Sequence, residues 1–465
     1  MYNIFSIKYM LKPGYVRGEV PATKDAYLNL IKIAMPSVVE MVLSSLIGSV
    51  DTMMISALGT AAISAVGLTG QPRMIILSVF FALNVGVTAV IARRKGEERR
   101  EDARATLENA LIIITLLSVI ITAFAVVFSK QFMLISGAIK GETLEMSEIY
   151  FRIIILGAPI NALTMVINAA QRGIGNTKIT MYVNIISNVV NVIFNYLLIG
   201  GNFGFPALGV AGAAIASDIG FCMGMLLSVI SVLPKNSYLK IAAVTHWKIK
   251  KEIVVPIFKI SSSALIEQIG LRIGFFTVTR IIADLGTDNF AVHQIASQFL
   301  NITFTFGDGI GVAGTSLVGQ NLGAKRPDIS MIYGKIAQRV ALCFSGVIFF
   351  VLLVFRTPFA ALFSKETHII SLTSQLMIVT AFIQIFQTSS TVIAGCLRGA
   401  GDTKYVALIM ILCVTLIRPV CTFIIVRGVG MGLVGAWIAI LIDICVRLAC
   451  GYFRFAGSKW VDIKV

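Results

Sequence analysis

Arg172-Gly173-Ile174-Gly175-Asn176-Thr177-Lys178 returns 226 residues later as Arg398-Gly399-Ala400-Gly401-Asp402-Thr403-Lys404. Leu58-Gly59-Thr60 returns after 227 residues as Leu285-Gly286-Thr287. Gly209-Val210-Ala211-Gly212-Ala213 returns after 223 as Gly432-Leu433-Val434-Gly435-Ala436, sharing a Gly-x-x-Gly-Ala string. Matches in the same order at nearly constant spacing mean a duplicated half. In an apolar chain, duplicated halves are the usual build of a secondary transporter, with the substrate path between them.

The 465 residues are 57% hydrophobic and 13% charged, with mean hydropathy +0.88. A soluble chain carries about a quarter charged residues. Apolar runs close to the ~20 residues that span hydrocarbon recur along the whole length. The fold class expected is an all-α membrane protein: twelve transmembrane helices in two homologous six-helix bundles with a central cavity. The first six spans fall at roughly 28–52, 62–92, 104–128, 147–169, 178–200 and 208–232. The second six fall at roughly 254–282, 289–318, 333–355, 370–394, 404–426 and 430–453. The domains that follow are an N-terminal tail (1–27), a bundle (28–232), a linker (233–253), a second bundle (254–453) and a C-terminal tail (454–465). The stretch before Leu28 has no apolar core with a small-residue cleavage site, so it does not read as a signal peptide.

The net charge of +16 is explained by its placement, and nucleic acid is not a predicted partner. One set of loops and span ends carries 26 Lys and Arg: Lys8, Lys12, Arg17 and Lys24, Arg93 to Arg104, Arg172 and Lys178, Lys235 to Lys251, Lys325 to Arg339, Arg398 and Lys404, and Arg454 to Lys464. The opposite set carries six: Lys130, Lys140, Arg152, Arg356, Lys365 and Arg427. The positive-inside rule places both termini in the cytoplasm of a plasma-membrane protein. Attraction to lipid head groups follows as a by-product. The seven cysteines fall in or beside spans without metal-type pairing and read as small apolar packing. A monomer is expected.

Met35-Pro36 followed by Val50-Asp51-Thr52, then Leu58-Gly59 and Ala65-Val66-Gly67, resembles the opening of the multidrug and toxic compound extrusion family. Gly319-Gln320-Asn321-Leu322-Gly323-Ala324 and the paired Arg-Gly-x-Gly-[Asn/Asp]-Thr-Lys strings resemble that family's loops. The resemblance covers residues 28–453 and is closest in pattern to the DNA-damage-inducible-F-like branch. It implies export of amphipathic, often cationic compounds in exchange for inward sodium ions or protons, with no other cofactor.

Asp51 is the leading candidate for the coupling ion. An acid at membrane depth is costly unless it faces protein or water. A carboxyl there can exchange a proton, ligate sodium or neutralise a cationic drug. The resemblance implies the same role for the aspartate fifteen residues after the span-1 proline, and Asp51 lies fifteen after Pro36. The alternative is an aspartate wetted at the outer surface. Asn191 and Asn195 lie four apart and share a face of span 5. Some relatives carry Asn-x-x-x-Asp there; Asn195 departs from that pattern and cannot take up a proton. Interhelical hydrogen-bonding glue is the alternative for both asparagines.

Counting about 1.5 Å per residue, Gln71 and Arg73 of span 2 lie in the outer half with Asp51 and Asn195. Ser217 and Asp218 of span 6 lie in the outer half or near the midplane. Asp218 is expected to replace the missing span-5 carboxylate, or else to pair with Arg73. In the second half Val278 stands where Asp51 stands in the first, so the halves are chemically unequal. Glu267 matches Glu40 at spacing 227 and is a candidate cation or drug ligand, or an ion-pair partner for Arg272 or another base. His293 reads as a satisfied or solvent-facing histidine, and Asp443 with Arg447 as an i, i+4 pair.

A rival reading is a lipid-linked precursor or oligosaccharide flippase of the same wider superfamily, which would use basic residues such as Arg73, Arg272, Arg280 and Arg418. An enzyme is not expected. The three histidines, His246, His293 and His368, are not paired at ligand spacing, and no nucleophile–base constellation stands out.

Overall fold

The computed structural model describes residues 5–7, 10, 16–138, 141–241, 248–363 and 366–463. Lys8, Lys12, Lys140, His246, Lys365 and Lys464, used in the charge and histidine readings, lie outside the described residues. Long helices dominate: α1 (Thr23–Ser56), α2 (Thr60–Gly96), α3 (Arg100–Val127), α4 (Ser129–Ile135), α5 (Glu142–Leu156), α6 (Ala158–Gly173), α7 (Thr177–Gly200) and α8 (Gly209–Val232). The second half gives α9 (Lys251–Ala283), α10 (Thr287–Gly323), α11 (Pro327–Val354), α12 (Arg356–Phe363), α13 (Thr367–Gly399), α14 (Thr403–Ile411), α15 (Arg418–Phe423) and α16 (Gly432–Ala456). π-Helical turns at Leu412–Ile417 and Ile424–Gly428 flank α15. Among the described residues ten helical stretches are long and apolar enough to cross a membrane, and α5 with α6, bent by 45°, form an eleventh. The twelfth is α10, which is long enough but carries Asp288, His293, Gln294, Gln298, Asn301 and Asp308 along its length. These twelve segments coincide with the twelve predicted spans.

Packing divides the chain into two units, Val39–Leu265 and Met1–Val38 with Ile266–Val465. The boundaries fall inside α1 and α9, so the start of each helix packs with one unit and its remainder with the other. In the second unit, Asn29 of α1 donates to the Tyr333 hydroxyl of α11 at 2.9 Å. Val38 lies with its backbone against Gly309 of α10, 2.8 Å from where a Cβ would stand.

The duplicated strings do the same work in each unit. The first glycine of Arg-Gly-x-Gly lets two helices touch: a Cβ on Gly173 would stand 2.9 Å from the Thr88 carbonyl oxygen, and one on Gly399 would be closer still to that of Thr315. The same two threonines cross-bond the pairs, Thr88 Oγ1 to Ala169 O at 3.0 Å and Thr315 Oγ1 to Gly395 O at 2.8 Å. The second glycine turns the chain at positive φ, 81° for Gly175 and 87° for Gly401, where a Cβ is unfavourable. The arginine reaches a buried glutamate: Arg172 pairs with Glu40, and Arg398 with Glu267 at 2.5 Å.

All seven cysteines are free. Cys222 and Cys343 differ from the packed reading, since both are exposed. They sit on outward faces of α8 and α11, where a spanning helix stays apolar without being buried.

Candidate functional site

The site grows from a stripe of asparagines on α7. Asn184, Asn188, Asn191 and Asn195 recur at four, three and four residues, one face of a helix. That face runs beside α1. Asn184 donates to Glu40 Oε1 at 2.6 Å, Asn188 to Ser44 Oγ at 3.0 Å, and Asn195 to Asp51 Oδ1 at 2.8 Å. With its amide oriented to satisfy both ends, Asn191 donates to the two Asp51 oxygens at 3.0 and 3.1 Å. Its own oxygen then accepts from the Ser217 hydroxyl at 3.2 Å and the Ser217 amide at 3.1 Å. Such orientations are assigned from the hydrogen-bond network. Thr180 adds a bond to Glu40 Oε2 at 3.0 Å.

Asp51 therefore rests on amide donors from two buried asparagines. Asn195 is 1% exposed, and its Oδ1 is a buried oxygen with no partner among the described residues. Carboxylate, amide and hydroxyl oxygens are the donor set a hard monovalent cation takes. Among the described residues no group of three or more His, Cys, Asp or Glu side chains is placed to hold a metal ion.

Two further walls complete the cluster. From α2, Arg73 is the base that acts electrostatically on both Asp51 and Asp218. It makes no ion pair with Asp218 among the described residues, so the expected Arg73–Asp218 pair is replaced by a longer-range interaction. From α5, Tyr150 is 5% exposed and feels the charges of Arg73, Asp51 and Asp218. Tyr150, Asn184 and Asn188 were not singled out in the sequence. The even polar stripe on α7 was the available signal for the asparagines; nothing local marks Tyr150. Gln71 lies on an exposed face of α2 and makes none of these bonds.

Glu267 and Arg272 belong to the other unit. Glu267 is 2% exposed, and its partner is Arg398 rather than Arg272. The Asp443–Arg447 pair holds at 3.2 Å and extends further: Arg418 donates twice to Asp443 Oδ2 at 2.8 and 2.5 Å, and Arg447 also reaches Gln387 at 3.2 Å. Phe275 of α9 lies with its ring centroid 5.2 Å from the Arg418 guanidinium. His293 is neither satisfied nor solvent-facing. It is buried, its Nδ1 has no partner among the described residues, and its ring meets that of Trp437 edge-on at 5.8 Å.

Comparison with known proteins identifies the family. The MatE family model matches residues 36–197 and again 264–424, once in each half. The chain is 28% identical over 459 residues to the probable multidrug resistance protein NorM of Thermotoga maritima, covering 98% of this chain and 97% of that protein. It is 26% identical to the uncharacterized transporter YisQ of Bacillus subtilis, covering 85% and 86%. A crystal structure of MATE in complex with MaD3S superposes with TM-score 0.87 at 22% identity over 93% of this chain and 97% of that one. A MATE P26A mutant superposes with TM-score 0.86 at 22% identity over 98% and 99%. With both halves matched and the fold shared from end to end, the chain belongs to the MatE family, a multi-pass membrane transporter and not an enzyme.

Proposed function

We propose that this protein is a secondary antiporter of the plasma membrane that exports amphipathic, often cationic compounds in exchange for inward sodium ions or protons. The observation that carries the reading is the Asp51 carboxylate, held inside a spanning helix by amides of Asn191 and Asn195. An intramembrane acid ringed by fixed dipoles is arranged to bind and release a cation. Asp51, Asn195 and Ser217 supply oxygens for that cation, Asn191 orients the Asp51 carboxylate, and Asp218 supplies the second negative charge.

Exchange follows from linkage. A cation that binds the outward-open state, and a drug that binds it less well, shift the equilibrium in opposite directions; a ligand indifferent to the two states shifts nothing. Both termini lie on the cytoplasmic side in this reading, as the basic loops require. The names of NorM relatives support drug-like cargo. Against the flippase reading, Arg418, one of the basic residues it would use, is buried in an ion pair with Asp443.

The test is efflux of a cationic dye from loaded cells or inverted vesicles, with sodium and pH gradients imposed separately. Asp51→Asn is expected to abolish gradient-driven efflux while the protein still inserts, and the effective gradient names the ion. If neither gradient moves dye in the unmodified protein, cation-coupled drug export is wrong.

A further inference from the structure

The fourth span is not one helix. α5 ends at Leu156, α6 begins at Ala158, and the two diverge by 45° across Gly157. Pro159 explains the break: it brings no N–H, so the Ile155 carbonyl loses its helical donor. Thr122 of α3 takes that carbonyl instead, donating at 3.2 Å. The bend is thus a built feature with its loose backbone group satisfied.

Asp218 of α8 fills the angle. Its carboxylate lies against the bare Cα of Gly157: a Cβ there would stand 3.0 Å from Oδ2 and closer still to Oδ1 and the carboxyl carbon. No real Cβ tolerates that approach. Elsewhere in the same unit the close glycines oppose neutral groups: Gly212 the Leu198 carbonyl, Gly86 the Ser261 hydroxyl and Gly224 the Ser187 hydroxyl. At Gly157 the opposing atoms are the ionisable end of a side chain. Asp218 Oδ1 is buried and accepts no hydrogen bond among the described residues. The groups facing it are Arg73 from α2 and Tyr150 from α5. Tyr150 and Gly157 are seven apart, so one face of α5 presents both to the cluster.

We infer that Gly157 is a positioning residue of the ion site: the missing side chain at the break of the fourth span seats the Asp218 carboxylate in the position from which it serves that site. The inference rests on the reading of Asp51 and Asp218 as ion ligands. It adds that the α5–α6 angle and the place of Asp218 are one variable, because neither can change without the other.

The experiment is ion-dependent ethidium efflux from inverted vesicles for Gly157→Ala, Asp218→Asn and the double variant. A methyl group at 157 displaces a carboxylate end rather than backbone, so Gly157→Ala is expected to insert and purify normally. It should require roughly tenfold more coupling ion for half-maximal efflux, the scale on which misplaced ligands lose effect. Because Gly157 acts through Asp218, the double variant should match Asp218→Asn alone. Wild-type ion dependence in Gly157→Ala, or single effects that multiply in the double variant, overturns the inference. Should Gly157→Ala fail to fold, Gly157→Ala with Asp218→Gly restores the room and must recover folding; continued failure also overturns it. The two readings separate cleanly. Loss of efflux in Asp51→Asn with normal Asp218→Asn and Gly157→Ala sinks the role of Gly157 alone, whereas normal efflux in Asp51→Asn sinks the ion site itself.

Discussion

Asn195 donates its amide to Asp51 at 2.8 Å, as the last rung of a ladder that begins a full 11 residues earlier with Asn184 on Glu40. The ladder binds α7 to α1 along the face that carries the acids. Structure and ion chemistry divide along this stripe: Asn184 and Asn188 bond α7 to α1, and Asn191 and Asn195 bond the Asp51 carboxylate.

Replacing the last rung should expose this division. Asn195→Ala removes one donor from a carboxylate, a loss of about 1–3 kcal/mol for a charged acceptor. That corresponds to a change of roughly five- to a hundredfold in ion affinity, read as the ion concentration for half-maximal dye efflux. Asn188→Ala breaks a neutral bond to Ser44, and should cost about 1 kcal/mol of stability with an unchanged ion requirement. Equal effects of the two variants on ion dependence would contradict the division.

The buried Glu267–Arg398 pair predicts a different signature. Glu267 is 2% exposed, so removing only its partner strands a charge. Arg398→Ala should destabilise by about 3–5 kcal/mol, seen as a fall in the detergent-solubilised melting temperature. Arg398→Leu with Glu267→Leu should recover most of that, because the expensive state is the unpaired charge. A double variant no better than the single one would show that the arginine matters for reasons other than charge.

Some of this was legible in the chain and some was not, for physical reasons. The repeats were legible because glycine at a left-handed turn and glycine at a helix contact admit no substitute, and both recur in each half. That Asn191 and Asn195 share a face was legible from spacing along α7; their grouping with Asp51 was implied by the family resemblance. Arg398 as the partner of Glu267 was not, since 131 residues separate them; the matched spacing of Glu40 and Arg172 held the clue, and only the contact revealed it. The seat of Asp218 was hidden altogether. It depends on a bend produced by Pro159 and on the absence of a side chain at Gly157, and an absence carries no polarity or periodicity to read.

The start of α11 ties down the residues before α1. Arg17 N–H donates to Asp328 at 3.1 Å, Arg326 donates to the Glu19 carbonyl at 2.7 Å, and Lys335 donates to the Met10 carbonyl at 2.8 Å. Asp328→Ala should release this segment, since the aspartate also holds Arg326 at 3.0 Å. The expected outcome is faster limited proteolysis between Arg17 and Lys24, with the remainder of the chain as resistant as before. Unchanged cleavage would mean that the Arg326 and Lys335 contacts suffice.

Gly399 offers the sharpest test of the duplicated architecture. A Cβ at Gly399 meets the Thr315 carbonyl and Cα, and one at Gly173 meets the Thr88 carbonyl at 2.9 Å and Ile91 side-chain atoms at 3.1 Å. Backbone cannot step aside as a side-chain end can, so α10 and α13 must separate to admit a methyl group. Overpacking of this kind costs about 1–3 kcal/mol. The contact at Gly399 is the tighter of the two, so Gly399→Ala should lower the melting temperature more than Gly173→Ala. Each change also weakens a cross-bond, Thr315 to Gly395 or Thr88 to Ala169, by pushing the helices apart. Replacing the threonine with serine would keep that bond, and replacing it with valine would remove it at nearly constant volume. If Thr315→Val is silent while Gly399→Ala is severe, close approach of the helices is the property the repeated motif protects. If the two are equally severe, the hydroxyl bridge is.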